Sequence, residues 1–172
     1  ITEELVDAGV KAVVLIGGGE PLAHPEIGWV IKYLAENNVQ IGITTNGLLI
    51  DRYLDIIAEH VSWVRVSMDS ATSETYNHYR PSPSGRSMFD KAIDNMERLA
   101  TIKQGNLGYS FLILTDGTFD PENSAAKQQS SQSNFSNVPE IYKGAVLAKT
   151  IGCDYYEIKP SYDIHHFSIE HR

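Results

Sequence analysis

The chain has 172 residues, 42% of them hydrophobic, and a formal net charge of −8, a composition that supports one sizeable core and argues against the basic surface used to bind nucleic acid. A single cysteine, Cys153, excludes an intramolecular disulfide framework, and no apolar run approaches the roughly 18 residues of a membrane-spanning helix. With no signal peptide visible, a cytoplasmic protein without membrane or nucleic-acid partners is expected, and a start at Ile1 inside a helical pattern reads as excision from a longer protein.

Residues 2 to 8 predict a helix ended by Gly9, and residues 11 to 16 a strand whose unbroken apolar run, Val13-Val14-Leu15-Ile16, implies burial on both faces. Pro25 fits the first turn of a helix that carries Ile27, Val30, Ile31 and Leu34 on one face and stops at Asn37-Asn38. A strand follows from Val39 to Thr44, then a helix with Leu49, Tyr53, Leu54, Ile57 and Ala58 inward, then a strand from Val61 to Met68. After a polar loop, Ser87 and Asp90 form an S-x-x-D capping box ahead of Met88, Phe89, Ala92, Ile93, Met96 and Leu99. Tyr109 to Leu114 is the fourth strand, Pro139 to Ile151 a helix closed by Gly152, and Tyr155 to Lys159 the fifth strand.

Between them, residues 116 to 137 read as a flexible polar insertion, because Asp120 to Asn134 contains no apolar residue beyond Ala125 and Ala126. Joining a strand's carboxyl end to a helix, it emerges on the ligand face. His165, His166 and His171 read as incidental, since adjacent histidines on an extended segment point to opposite faces. Strands alternating with helices give parallel βαβ units, so the class is α/β, and periodicity leaves open whether the sheet is doubly wound or part of a barrel.

The most informative stretch is Gly17-Gly18-Gly19-Glu20-Pro21, directly after the first strand. It is no phosphate loop: G-x-x-x-x-G-K-[ST] lacks its Lys, and G-x-G-x-x-G has Ala23 where the last glycine belongs. Glu20 would also repel a phosphate. A carboxylate beside bare backbone carbonyls suits a cation instead, such as the α-ammonium of an amino acid. Further polar positions end the other strands, where α/β folds bind ligands: Thr44-Thr45-Asn46-Gly47, and Ser67 and Asp69 in Val66-Ser67-Met68-Asp69; Arg80, in the loop that follows, carries a fork that suits a carboxylate.

Gly18-Gly19-Glu20-Pro21 resembles, residue for residue, the Gly-Gly-Glu-Pro motif of the radical S-adenosylmethionine (SAM) superfamily. The resemblance implies a partial (β/α)6 TIM-like barrel truncated at the amino terminus, with strands two to six present. In the family the motif ends the second barrel strand and holds the SAM amino group, the role implied for Glu20 with Gly18, Gly19 and Pro21. Thr45 and Asn46 match the T-N-G stretch near the ribose and methionine portions. Ser67 and Asp69 match the fourth-strand pattern, whose polar residues contact the SAM carboxylate or ribose, and Arg80 matches an arginine that pairs with that carboxylate. Residues 1–172 would then be a partial core domain.

In such an enzyme a [4Fe–4S] cluster held by Cys-x-x-x-Cys-x-x-Cys cleaves SAM reductively, and the 5′-deoxyadenosyl radical takes a hydrogen atom from a small-molecule or peptide substrate. An electron donor such as flavodoxin or ferredoxin is implied. Cys153 cannot replace the triplet, because three thiolates must hold three irons while the fourth stays open to SAM. The chain alone is therefore expected to assemble no cluster. Two other readings fit the residues: a cluster-free α/β enzyme or amino-acid-binding domain using Glu20, and a catalytically dead core serving as an interaction module.

Overall fold

The computed structural model describes residues 1–82, 85–114 and 135–160. In chain order its elements are α1 (Thr2–Asp7), β1 (Ala12–Leu15), α2 (Ile27–Glu36), β2 (Gln40–Thr45), α3 (Leu54–His60), β3 (Trp63–Ser67), α4 (Ser73–Tyr79), α5 (Phe89–Ile102), β4 (Asn106–Leu112), α6 (Ile141–Ile151) and β5 (Tyr155–Lys159). Short 3-10 turns at Pro21–Ala23, Ile50–Arg52 and Val138–Glu140 connect them.

The strands form one sheet in the order β1-β2-β3-β4-β5, each parallel to the next. A doubly wound sheet reverses its strand order at a switch point. Here the order never reverses, so right-handed crossovers put every connecting helix on one face. That is the winding of a barrel. Along β3 the consequence is alternation: Val64 and Val66 are buried toward the helices, while Trp63, Arg65 and Ser67 are half-buried on the other face. The core between helices and sheet joins Ile31 and Leu34 of α2, Ile41 and Ile43 of β2, Met96 and Leu99 of α5, and Tyr109 and Phe111 of β4. Each such side chain contributes about 1.5–3 kcal/mol on burial.

Several expectations change. β1 is an edge strand, paired among the described strands only with β2, and Val14 and Ile16 are 50% and 58% exposed rather than buried. The polar loop after β3 contains α4, capped by Thr72, whose hydroxyl accepts from the Thr75 N–H (3.3 Å). Its polar composition hides a two-residue anchor, since Thr75 and Tyr76 are buried. Ser87 and Asp90 form no capping box: α5 starts at Phe89 after an uncapped Met88, and the Ser87 hydroxyl accepts from the Phe89 N–H (3.3 Å), one residue too early. The helix expected from Leu49 is divided into a 3-10 turn and α3, and Pro139 sits in a 3-10 turn ahead of α6.

β4 also begins three residues before Tyr109, at Asn106. Gly108 therefore lies inside the strand, where a Cβ would meet the Tyr155 ring at 2.0 Å, so the glycine serves side-chain packing. Residues 116–134 of the polar insertion expected at 116–137, and the histidines at 165, 166 and 171, lie outside the described residues. The end of that insertion, Phe135 to Asn137, is packed: Phe135 stacks on His78 with ring centroids 4.1 Å apart, and Asn137 is fully buried.

Candidate functional site

A cleft of about 360 Å³ opens at the carboxyl ends of β1, β2 and β3, lined by Ile16, Gly17, Gly18, Gly19, Glu20, Thr44, Thr45, Asn46, Ser67 and Arg80. Its position follows from the winding, because parallel strands place all their following loops at one end of the sheet.

Glu20 reaches across from the β1 loop to the β2 loop. Its Oε1 accepts from the Leu22 N–H (3.1 Å) and the Thr45 hydroxyl (2.6 Å), and its Oε2 accepts from the Asn46 N–H (2.7 Å). The first of these bonds caps the 3-10 turn that Pro21 starts. A carboxylate offers about four acceptor positions, so one remains on Oε2, in the cleft that the glycine run also lines. A Cβ placed on Gly17, Gly18 or Gly19 would meet nothing within 4 Å. Protein packing does not demand glycine there, and the bare backbone leaves that space open.

The β2 loop is locked from behind. Gly47, at φ +82, turns the chain where a side chain would strike Val66. The Gly47 N–H donates to Thr45 Oγ1 (3.0 Å), the Leu48 N–H donates to Asn46 Oδ1 (2.9 Å), and buried Asn95 of α5 donates to the Gly47 carbonyl (2.8 Å). The Asn46 carbonyl oxygen is thus spent on its own turn, while its amide nitrogen remains a donor for a ligand.

Arg80 closes the opposite side, as the residue that caps the carboxyl end of α4. Its Nη2 pairs with Asp69 Oδ2, and Asp69 Oδ1 accepts from the Leu112 N–H (2.8 Å). Asp69 is buried and does not line the cleft: it supports Arg80 from behind. Of the residues expected from sequence, Gly18, Gly19, Glu20, Thr45, Asn46, Ser67 and Arg80 come together at the cleft, while Pro21 and Asp69 stand behind it.

Sequence reasoning missed the clamp beneath Asp69. Asn137 donates from Nδ2 to the carbonyls of Asp69 and Leu112 (2.8 Å each), and its Oδ1 accepts from the Leu114 N–H (2.8 Å). Glu140 accepts from the Ala71 N–H (2.6 Å) and the hydroxyls of Thr72 (2.6 Å) and Thr75 (2.9 Å). Partial burial pushes the Glu140 carboxyl up, but the bonds from Thr72, Ala71 and Thr75 outweigh it and hold the group below its ordinary value. The Tyr109 hydroxyl, driven far up by burial and by neighbouring Tyr156, donates to the Ser70 carbonyl. Nothing in the sequence pairs these residues, since the partners of Asn137 and Glu140 lie up to 69 positions away.

The radical SAM superfamily model matches residues 1–123. This chain belongs to the radical SAM superfamily. It is 25% identical to the AdoMet-dependent heme synthase of Methanosarcina barkeri over 158 residues, 91% of this chain and 38% of that protein. To the GTP 3′,8-cyclase of Synechocystis it is 35% identical over 79 residues, 45% of this chain and 24% of the relative. It therefore spans well under half the length of these relatives. Among solved structures, Streptococcus suis SuiB bound to S-adenosylmethionine superposes with a TM-score of 0.64 at 15% identity, covering 95% of this chain and 32% of SuiB. The five parallel strands are thus part of a radical SAM TIM-like barrel.

The residues of this radical SAM chain do not fit the superfamily's [4Fe–4S] cluster. Cys153 precedes β5, at the end of the sheet opposite the cleft, and burial with the adjacent Asp154 charge pushes its thiol up to about 12. Cluster ligation needs thiolates. Among the described residues no group of three His, Cys, Asp or Glu side chains could hold a metal ion. No helix of the described residues is long and apolar enough to cross a membrane.

Proposed function

We propose that this chain binds and orients S-adenosylmethionine as part of a radical SAM enzyme whose cluster is held by residues outside it. The observation that carries the reading is the free acceptor on Glu20 Oε2, fixed by three hydrogen bonds beside the open backbone of Gly18 and Gly19. An ammonium fits there, and a charge-assisted bond to a preorganised carboxylate is worth about 1.5–3 kcal/mol.

Arg80, held by Asp69 through Nη2, has further donors for the methionine carboxylate. Ser67 and the Asn46 amide supply hydrogen bonds along the cleft. Asp69 acts as a positioning residue and Pro21 as the start of the turn that carries Glu20 to its acceptors. When bound to its cluster, SAM supplies the family's radical chemistry; the residues of this chain supply binding and orientation. A small-molecule or peptide substrate, a donor such as flavodoxin or ferredoxin, and a cytoplasmic location go with this reading.

Calorimetry with SAM and with 5′-methylthioadenosine, which lacks the amino-acid portion, tests it. Glu20→Gln should weaken SAM binding by about 10- to 150-fold, the equivalent of that bond, and leave 5′-methylthioadenosine nearly unchanged. Equal loss for both ligands, or unchanged SAM affinity, would reassign Glu20 to a structural role.

A further inference from the structure

The helix-free face of the sheet carries a charged cluster that SAM binding does not use. Register places Thr44 opposite Arg65, Arg65 opposite Gly108, Gly108 opposite Tyr155, and Ser110 opposite Glu157. Residues paired in register project to the same face. Arg65 Nη2 donates to Thr44 Oγ1 (3.1 Å), and Thr44 lines the cleft, so the cluster adjoins it directly. Arg65 Nη1 lies 3.4 Å from Glu157 Oε2, and Lys159 Nζ lies 3.0 Å from that same oxygen. The Arg65 guanidinium also lies 5.7 Å from the centre of the Trp63 ring.

Among the described residues two cations share one carboxylate, which leaves an excess positive charge on a half-buried surface. The cluster is also short of acceptors. Arg65 Nε is buried and finds none among the described residues, and a buried donor without a partner is costly. An ion network that merely filled the space would balance its charge and satisfy its donors. This one does neither. An anion entering from the cleft side would meet the Arg65 fork and the Lys159 ammonium, with Glu157 as the internal group it displaces.

We propose that Arg65 and Lys159 form a binding site for an anionic group of the substrate, a carboxylate or a phosphate, on the sheet face adjoining the SAM cleft. The word substrate rests on the reading given under Proposed function; the anion site itself does not. Glu157 holds the two cations in place until the anion arrives. Its negative charge sets a threshold that weakly bound solutes fail to cross.

The chain's two tryptophans allow a direct test. In a Trp29→Phe background Trp63 becomes the sole indole, placed against Arg65. Its emission is followed on titration with potassium phosphate and, separately, with sodium acetate, ionic strength being held constant with chloride. A saturable change is expected with at least one anion, and which one responds identifies phosphate or carboxylate as the ligand chemistry. Glu157→Gln should tighten binding at least about fivefold by removing the competing charge. Arg65→Gln and Lys159→Gln should each abolish the response, and Lys149→Gln, which removes an equal charge from the last turn of α6, should leave it intact. Absence of saturation in both wild type and Glu157→Gln overturns the proposal, as does a response that survives Arg65→Gln or disappears with Lys149→Gln. A chain that binds the anion but not SAM would keep the site and refute only the SAM reading.

Discussion

Replacing Asn137 tests the clamp that ties the α6 end of the chain to the strand ends. The side chain is fully buried and makes three hydrogen bonds, donating to the carbonyls of Asp69 and Leu112 and accepting from the Leu114 N–H, each at 2.8 Å. In Asn137→Ala the bond to the Asp69 carbonyl is lost in a buried setting, where an unsatisfied group costs about 1–3 kcal/mol. The other two bonds are partly buried, so water can re-pair their partners and each loss is nearer about 1 kcal/mol. The sum is about 3–5 kcal/mol, a large part of the roughly 5–15 kcal/mol that holds a domain folded. Equilibrium urea unfolding should show a lower midpoint at unchanged slope.

Asn137→Asp sharpens the test, because it keeps the shape and the acceptor but aims a charge at two carbonyl oxygens. At neutral pH it should cost more than alanine. Burial and those carbonyls raise the new carboxyl's folded-state pKa above its unfolded value of about 3.9, so the folded state takes up protons more readily. Stability contributed that way is present at low pH and is lost as pH rises through the folded value. The gap between the Asp and Ala variants should therefore narrow from about pH 7 to about pH 4.5. A loss below about 1 kcal/mol in Asn137→Ala, or an Asp variant as stable as wild type at neutral pH, would refute the reasoning.

The remaining expectations concern acid stability and close packing. Because Glu140 is held below its ordinary value, its contribution is present above the unfolded carboxylate pKa and is lost as pH falls through the folded one. Glu140→Gln should lower stability at pH 7 by about 1–2 kcal/mol and flatten the acid limb of a stability-against-pH curve; an unchanged acid limb would show that the latch to Ala71, Thr72 and Thr75 carries nothing. Gly105→Ala would push a Cβ to 2.2 Å from the Val61 carbonyl oxygen, whereas at Gly108 the added methyl meets the end of the Tyr155 ring, a half-exposed side chain that can swing away. Thermal unfolding should rank Gly105→Ala as the more damaging by about 1 kcal/mol or more, and the reverse order would contradict the packing.

Much of the site was legible because its chemistry is local in sequence. Gly17 to Pro21 form one loop, Thr45 to Gly47 another, and strand periodicity alone puts both at carboxyl ends. Why the Glu20 carboxylate keeps a free acceptor was not legible, since its partners Thr45 and Asn46 are 25 and 26 residues away and only the pairing of β1 with β2 brings them close. The place of Asp69 behind the cleft was not legible for a related reason. A carboxylate two residues past a strand looks available until Arg80, from the end of α4, is seen to occupy it.

The sequence by itself determined the α/β class, the five strands and the strand-end loops Gly17 to Pro21 and Thr45 to Gly47, because apolar periodicity and strand-ending glycines act over short stretches of chain. Residue patterns left the winding open; the resemblance implied a barrel, and the strand pairing of the tertiary structure decided it. Strand order depends on which backbones pair, and β1-β2-β3-β4-β5 pairing commits the helices to one face and leaves Arg65, Glu157 and Lys159 together on the other. It also decided the clamp of Asn137 and Glu140, since a buried polar side chain has meaning only through the partners that folding brings within reach.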